Sequence, residues 1–183
     1  MPSLARHVLI RQFDLAWALA SLHLDGLTTE ACLWRPADRG LHVWQGPDGL
    51  WRADWPDSEA YEIGPSSIGW LTWHWGYWWS MALDHGFGQA GLDRQQIAWP
   101  GDGPGATAWI RDLARQWRAQ LERLTDRELI SQTHTRWPFA DRPFIDVVAW
   151  ANVELTKSAA EIGYARFLFA ARSLSESTLV NAP

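Results

Sequence analysis

WLTWHWGYWWSM, residues 70–81, holds five tryptophans, one tyrosine and a single histidine. Wound as an α-helix at ~100° per residue, it sets Trp70 and Trp78 within about 40° of His74, and Met81 within about 20°. A face this aromatic has to be covered by other helices. His74 therefore projects from an aromatic wall toward an interior. A buried neutral imidazole needs hydrogen-bond partners, or a metal on one nitrogen. Three readings stay open for it: a core histidine, a metal ligand, and a proton-transfer group.

The helix carrying this stretch is predicted to start at Ser66 or Ser67, either suited to cap it. It ends near His85, where HGFGQAG breaks the pattern. His85 falls close to the His74 face but at the helix end, which suits a solvent-side or capping role. Working outward, residues 4–25 read as a first helix, with Leu9, Phe13, Trp17, Ala20 and Leu24 on one stripe and Gly26 as its stop. Residues 33–65 are rich in Gly, Pro and Asp and centre on GPDG, 46–49. Pro47 at the second and Gly49 at the fourth position suit a type I turn, flanked by HVWQ and LWRA. This predicts a small hairpin or structured loop. Trp44, Trp51 and Trp55 in it serve either as interface anchors or as a lid folded back on the domain. A third helix is expected over about 107–124, with Trp109, Leu113, Trp117 and Leu121 on one face. A fourth runs from about Pro143 to Ala171. GPDG and GDGPG read as turns, not phosphate loops.

The expected fold is all-α: an antiparallel four-helix bundle with a tryptophan-rich loop or small hairpin between its first two helices. A single domain spans 1–172, with the loop insertion at 37–62 and a frayed tail at 173–183. Net charge is −5 and no basic block is present, so composition gives no support to nucleic-acid binding. The lone Cys32 excludes an internal disulfide framework and reads as a buried small hydrophobe. No secretory signal and no long uncharged apolar run is apparent, so the expectation is a cytoplasmic protein with no membrane span.

The fourth helix brings chemistry of its own. Glu154 and Glu161 lie about 20° apart on the wheel, with Lys157 between them, three residues after the first and four before the second. The helix is apolar almost all round, and buried carboxylates demand pairing or a metal. A Glu-Lys-Glu salt-bridge strip is one reading. A divalent ion held by His74, Glu161 and Glu154 is another. General acid-base work is a third. No HExxH or CxxC motif is present, and no serine-histidine-acid order stands out.

Three segments carry a resemblance: LDGLTTEACLWRP (24–36), PSSIGWLTWHWGYWWSMALDH (65–85) and AEIGYARFL (160–168). In order and spacing they resemble the DinB/YfiT-like superfamily of metal-binding helical-bundle proteins. The resemblance implies one histidine ligand on the second helix and two more, four apart, on the late helix, holding nickel, zinc or iron. Here the first falls at His74, but Lys157 and Glu161 stand at the late positions. A protonated lysine cannot ligate, so the usual site is degenerate. The resemblance implies a homodimer, with a small molecule or a thiol such as mycothiol or bacillithiol as substrate. The expected function is a polar pocket of His74, Glu154, Lys157 and Glu161, binding a small molecule or serving a structural role. The alternative is a metal-dependent transferase or isomerase using a thiol cofactor and an altered His/Glu ligand set.

Overall fold

The computed structural model describes residues 4–58 and 60–180, with only the backbone described over 173–180. Four long helices carry the fold: α1 (Leu4–Leu24), α3 (Ile68–Phe87), α4 (Gly103–Arg123) and α6 (Phe144–Val180). Two short helices, α2 (Thr29–Leu33) and α5 (Asp126–Leu129), sit in the connections. A hairpin of β1 (Val43–Gln45) and β2 (Trp51–Ala53) lies between α2 and α3, paired antiparallel with Trp44 opposite Arg52. The fold is thus mostly helical, but richer than a plain four-helix bundle.

Each long helix packs on two others, in the cyclic order α1, α6, α3, α4. Their directions depart from the antiparallel expectation. Asp14 meets Arg118 and Asp25 meets Arg111, so α1 and α4 are antiparallel. Trp78 meets Trp150 and Phe87 meets Phe144, so α3 and α6 are antiparallel too. Yet Asn152 bonds to the Leu9 carbonyl and Arg166 to the His23 carbonyl, so α1 and α6 run parallel. Gly76 abuts Trp109, and Phe87 packs on Trp117, so α3 and α4 also run parallel. The reason is the connection over 88–102. It returns along α3 instead of turning directly: the Trp73 indole donates to the Ile97 carbonyl (2.8 Å), and the Trp99 indole to Thr72 Oγ1 (3.0 Å). Parallel neighbours require such a long crossover.

The helix starts follow from local chemistry. Ser67 caps α3 by accepting from the Trp70 amide, the second of the two expected serines. Asp102 caps α4 through the Gly105 amide, with Pro104 in the first turn. GDGPG is therefore a helix start as well as a turn, and α4 begins four residues before the expected Thr107. In the hairpin, the Gly49 amide donates to the Gly46 carbonyl (3.0 Å), closing the expected turn over 46–49. Gly49 itself has φ +81°, which relieves a side chain of left-handed strain. Past Arg172, where a tail was expected, α6 continues to Val180; residues 181–183 lie outside those described.

Tryptophan fills the core. Trp75, Trp78, Trp79, Trp99 and Trp117 are fully buried. The indole N–H groups of Trp75, Trp78, Trp79 and Trp117 find no acceptor, at about 1–3 kcal/mol each. Removing 150–250 Å² of ring from water at roughly 25 cal/mol per Å² gains about 4–6 kcal/mol, so burial wins at each. Cys32 is buried as expected, and burial pushes its thiol up to about 12, which keeps it protonated.

Candidate functional site

The starts of α3 and α4 and the ends of α1 and α6 meet at one end of the bundle, where residues 25–66 cap it. After β2 the chain runs from Trp55 to Ser66 as a strap with a single 3-10 turn at Tyr61–Ile63. Gly64 lets it press against α2's outgoing segment: at φ +87° its Cα faces the Arg39 carbonyl so closely that a Cβ would lie 2.5 Å from that oxygen. Between the strap and the α3/α6 surface lies a cleft of about 720 Å³. Trp55, Asp57 and Tyr61 line it from the strap, Trp70 and His74 from α3, and Lys157 and Glu161 from α6.

The His74 imidazole lies flat on the Trp70 indole, with centroids 4.7 Å apart and planes 9° apart. Trp70 is itself held by its N–H, which donates to the Asp54 carbonyl at 2.8 Å. His74 Nδ1 is buried and has no hydrogen-bond partner. Burial first, and the Lys157 ammonium second, depress the imidazole to about 4. At neutral pH the ring is thus uncharged: one nitrogen carries a proton and the other a lone pair.

Lys157 Nζ sits 3.3 Å from Glu161, one turn apart on α6, and both are partly exposed at the cleft. The structure thus gathers three of the four expected pocket residues, His74, Lys157 and Glu161. Glu154 is half-buried on α6 and is not among the lining residues. Among the described residues, no group of three or more His, Cys, Asp or Glu side chains is placed to hold a metal ion. His85 is half-buried and braces the crossover, its Nε2 3.2 Å from the Leu92 carbonyl, in place of the solvent-side or capping role expected for it.

Two of the three loop tryptophans fold back. Trp51 packs edge-on against Trp99 with centroids 5.1 Å apart, and Trp55 packs edge-on against Tyr77 at 5.5 Å while walling the cleft. Trp44 stays 43% exposed beside Arg52. The sequence reading missed the rest of the strap, notably Asp57 and the fully exposed Tyr61. Pro56, Gly64 and Pro65 were the signal available, since they bracket a segment too stiff to be a slack linker.

The architecture and the cleft define a helical-bundle protein with a polar pocket at one end. The chain belongs to the DinB superfamily, whose family model matches residues 12–162. Neither curated proteins nor solved structures gave a match. No helix among the described residues is long and apolar enough to cross a membrane.

Proposed function

We propose that this DinB-superfamily protein binds a small organic molecule in the cleft at His74, and that the Lys157–Glu161 ion pair stands where a metal site would need donors. The observation carrying this reading is the placement of Lys157: its ammonium lies 3.3 Å from Glu161 in the cleft that His74 also lines, and after burial it is the second influence that keeps His74 uncharged. The donor set does not fit a divalent ion, since an ammonium has no lone pair and would repel the metal. A thiol-dependent transferase or isomerase with a His/Glu metal site would have to recruit Glu154, which lies outside the cleft lining. The chemistry left to the cleft is recognition. Trp55 and Trp70 offer ring surface, neutral His74 one donor or acceptor, and Lys157 and Glu161 a charge of each sign. We also propose that the protein acts as a cytoplasmic homodimer.

A thermal-shift screen of small organic acids, amines and aromatic compounds tests the binding reading. Hits are expected to lose their shift in Trp55→Ala, which removes one wall of the cleft together with its edge-on contacts to Trp73 and Tyr77. Hits that keep their full shift in that variant would place binding elsewhere.

A further inference from the structure

The outer face of the hairpin and the crossover over 88–102 enclose a cavity of about 270 Å³ that shares no lining residue with the cleft. Strand alternation builds one side of it. Val43 points inward and is buried, so its neighbour Trp44 points out, opposite Arg52 on β2. A 3-10 turn in the crossover, Arg94–Gln96, builds the other side. Asp93 fixes that turn by accepting from the Gln95 amide at 2.8 Å, and Gln96 accepts in return from the Asp93 amide at 2.7 Å. Trp73 and Ile97, both buried, supply an apolar floor, and the Trp73 N–H is already spent on the Ile97 carbonyl.

The charge of this cavity opposes that of the chain. Net charge is −5, yet two arginines and no carboxylate line it. Arg52 is anchored: Asp48 grips it through bonds of 2.8 and 2.6 Å, and Gly46 leaves it room, since a Cβ there would lie 2.1 Å from Arg52 Nη1. Arg94 is placed differently. Its guanidinium lies over the Trp55 ring, 4.2 Å from the centroid, and no carboxylate pairs with it among the described residues. A ring face supports a cation but offers no acceptor lone pair, so the N–H donors of Arg94 are left for an anion. An exposed ring such as Trp44 says little alone. Beside two guanidinium groups and an apolar floor, it completes the contacts that a ligand with a flat body and a charged end requires.

We propose that this cavity is a second binding site, for a small planar organic anion: an aryl carboxylate or an aryl phosphate. The ring of the ligand lies against Trp44, and its anionic group is held by Arg94 and Arg52. The planar fork of a guanidinium matches the oxygens of either group. The volume sets the size of the ligand. It falls just below the ~300–1,000 Å³ of sites that take drug-sized molecules, so one ring with its anionic substituent is what fits. This site stands apart from the cleft at His74 and does not depend on what the cleft binds.

Titration of the full chain with benzoate, phenyl phosphate, cyclohexanecarboxylate and inorganic phosphate tests this, by calorimetry and by the indole N–H resonance of Trp44 (assigned through Trp44→Phe). Benzoate or phenyl phosphate is expected to move that resonance saturably, and the tighter of the two names the anionic group. The ringless or non-planar counterpart is expected to bind roughly tenfold more weakly. The aromatic anion is expected to lose roughly tenfold in affinity for Arg94→Gln and for Trp44→Ala, the second at an exposed position, with the wild-type circular dichroism spectrum kept. Lys157→Ala, in the cleft, is expected to bind it as the wild type does. Failure of both aromatic anions to move Trp44 would overturn the site, as would full affinity in Arg94→Gln and Trp44→Ala. Inorganic phosphate binding as tightly as phenyl phosphate would overturn the ring contact. Affinity lost in Lys157→Ala would move the anion to the cleft, which overturns this proposal and leaves the cleft reading standing.

Discussion

The His74 imidazole rests on the Trp70 indole with their planes only 9° apart, and the Lys157 ammonium on the facing helix helps to hold that imidazole neutral. The depressed basicity sets a sign for the effect of pH. An unfolded chain takes up a proton at a histidine near pH 6.5, whereas folded His74 resists it down to about pH 4. Above 6.5 the folded state keeps its full stability. Between about 6.5 and 4 the unfolded state binds the extra proton, and stability falls by on the order of 3 kcal/mol. His42, buried with both ring nitrogens unpartnered, shifts in the same direction and adds to the fall. Urea unfolding at pH 7 and pH 4.5 should show a smaller loss in His74→Phe than in the wild type. Equal losses would mean that His74 titrates normally in the folded protein.

At Gly76, α3 lies directly against the Trp109 ring of α4. A Cβ there would meet the Trp109 ring at 2.1 Å. Gly76→Ala gains helix propensity but must push the indole or the helix aside, so a net loss of about 1–3 kcal/mol is expected. Chemical denaturation measures it, and Gly76→Ala combined with Trp109→Leu should recover part of the loss.

Ser67 starts the helix that carries His74. Its hydroxyl accepts from the Trp70 amide at 3.2 Å and lies 3.4 Å from the Leu41 carbonyl. Ser67→Ala is expected to cost about 1–2 kcal/mol. Because Trp70 lies in the first turn, the variant should also bring forward local hydrogen exchange at the His74 end of α3 relative to its other end.

The Lys157–Glu161 pair is expected to be the obstacle to a metal. Lys157→His/Glu161→His supplies two imidazoles one turn apart on α6, on the α3/α6 wall of the cleft that also carries His74. Calorimetric titration with Zn²⁺ or Ni²⁺ should show one tight site in this variant, abolished by adding His74→Ala. Titration of the wild type should show affinity at least a hundredfold weaker.

How much of this was legible in the sequence depended on the range of the signal. The faces of α1, α3 and α4 could be read from apolar spacing, because burial on one side imposes a 3.6-residue period. The 46–49 turn could be read because Pro47 and Gly49 act locally. Helix direction could not: the crossover over 88–102 is held by Trp73 and Trp99, whose partners Ile97 and Thr72 are 24 and 27 residues away. The site divided the same way. His74 and the pair on α6 stood out by residue type and spacing. The strap that turns their surface into a cleft has no periodicity, and its position follows from tertiary contacts such as Trp70 on the Asp54 carbonyl. Glu154 shares a helical stripe with Glu161, but the cleft stops short of it.

In the proposed reading, an ion pair and a neutral histidine form this pocket in place of a metal centre. Metal content of the wild-type protein, purified without an affinity tag or chelator and read by mass spectrometry, tests it most directly. Nickel, zinc and iron together are expected far below one equivalent per chain, unchanged in His74→Ala. A stoichiometry near one that disappears in His74→Ala would contradict it.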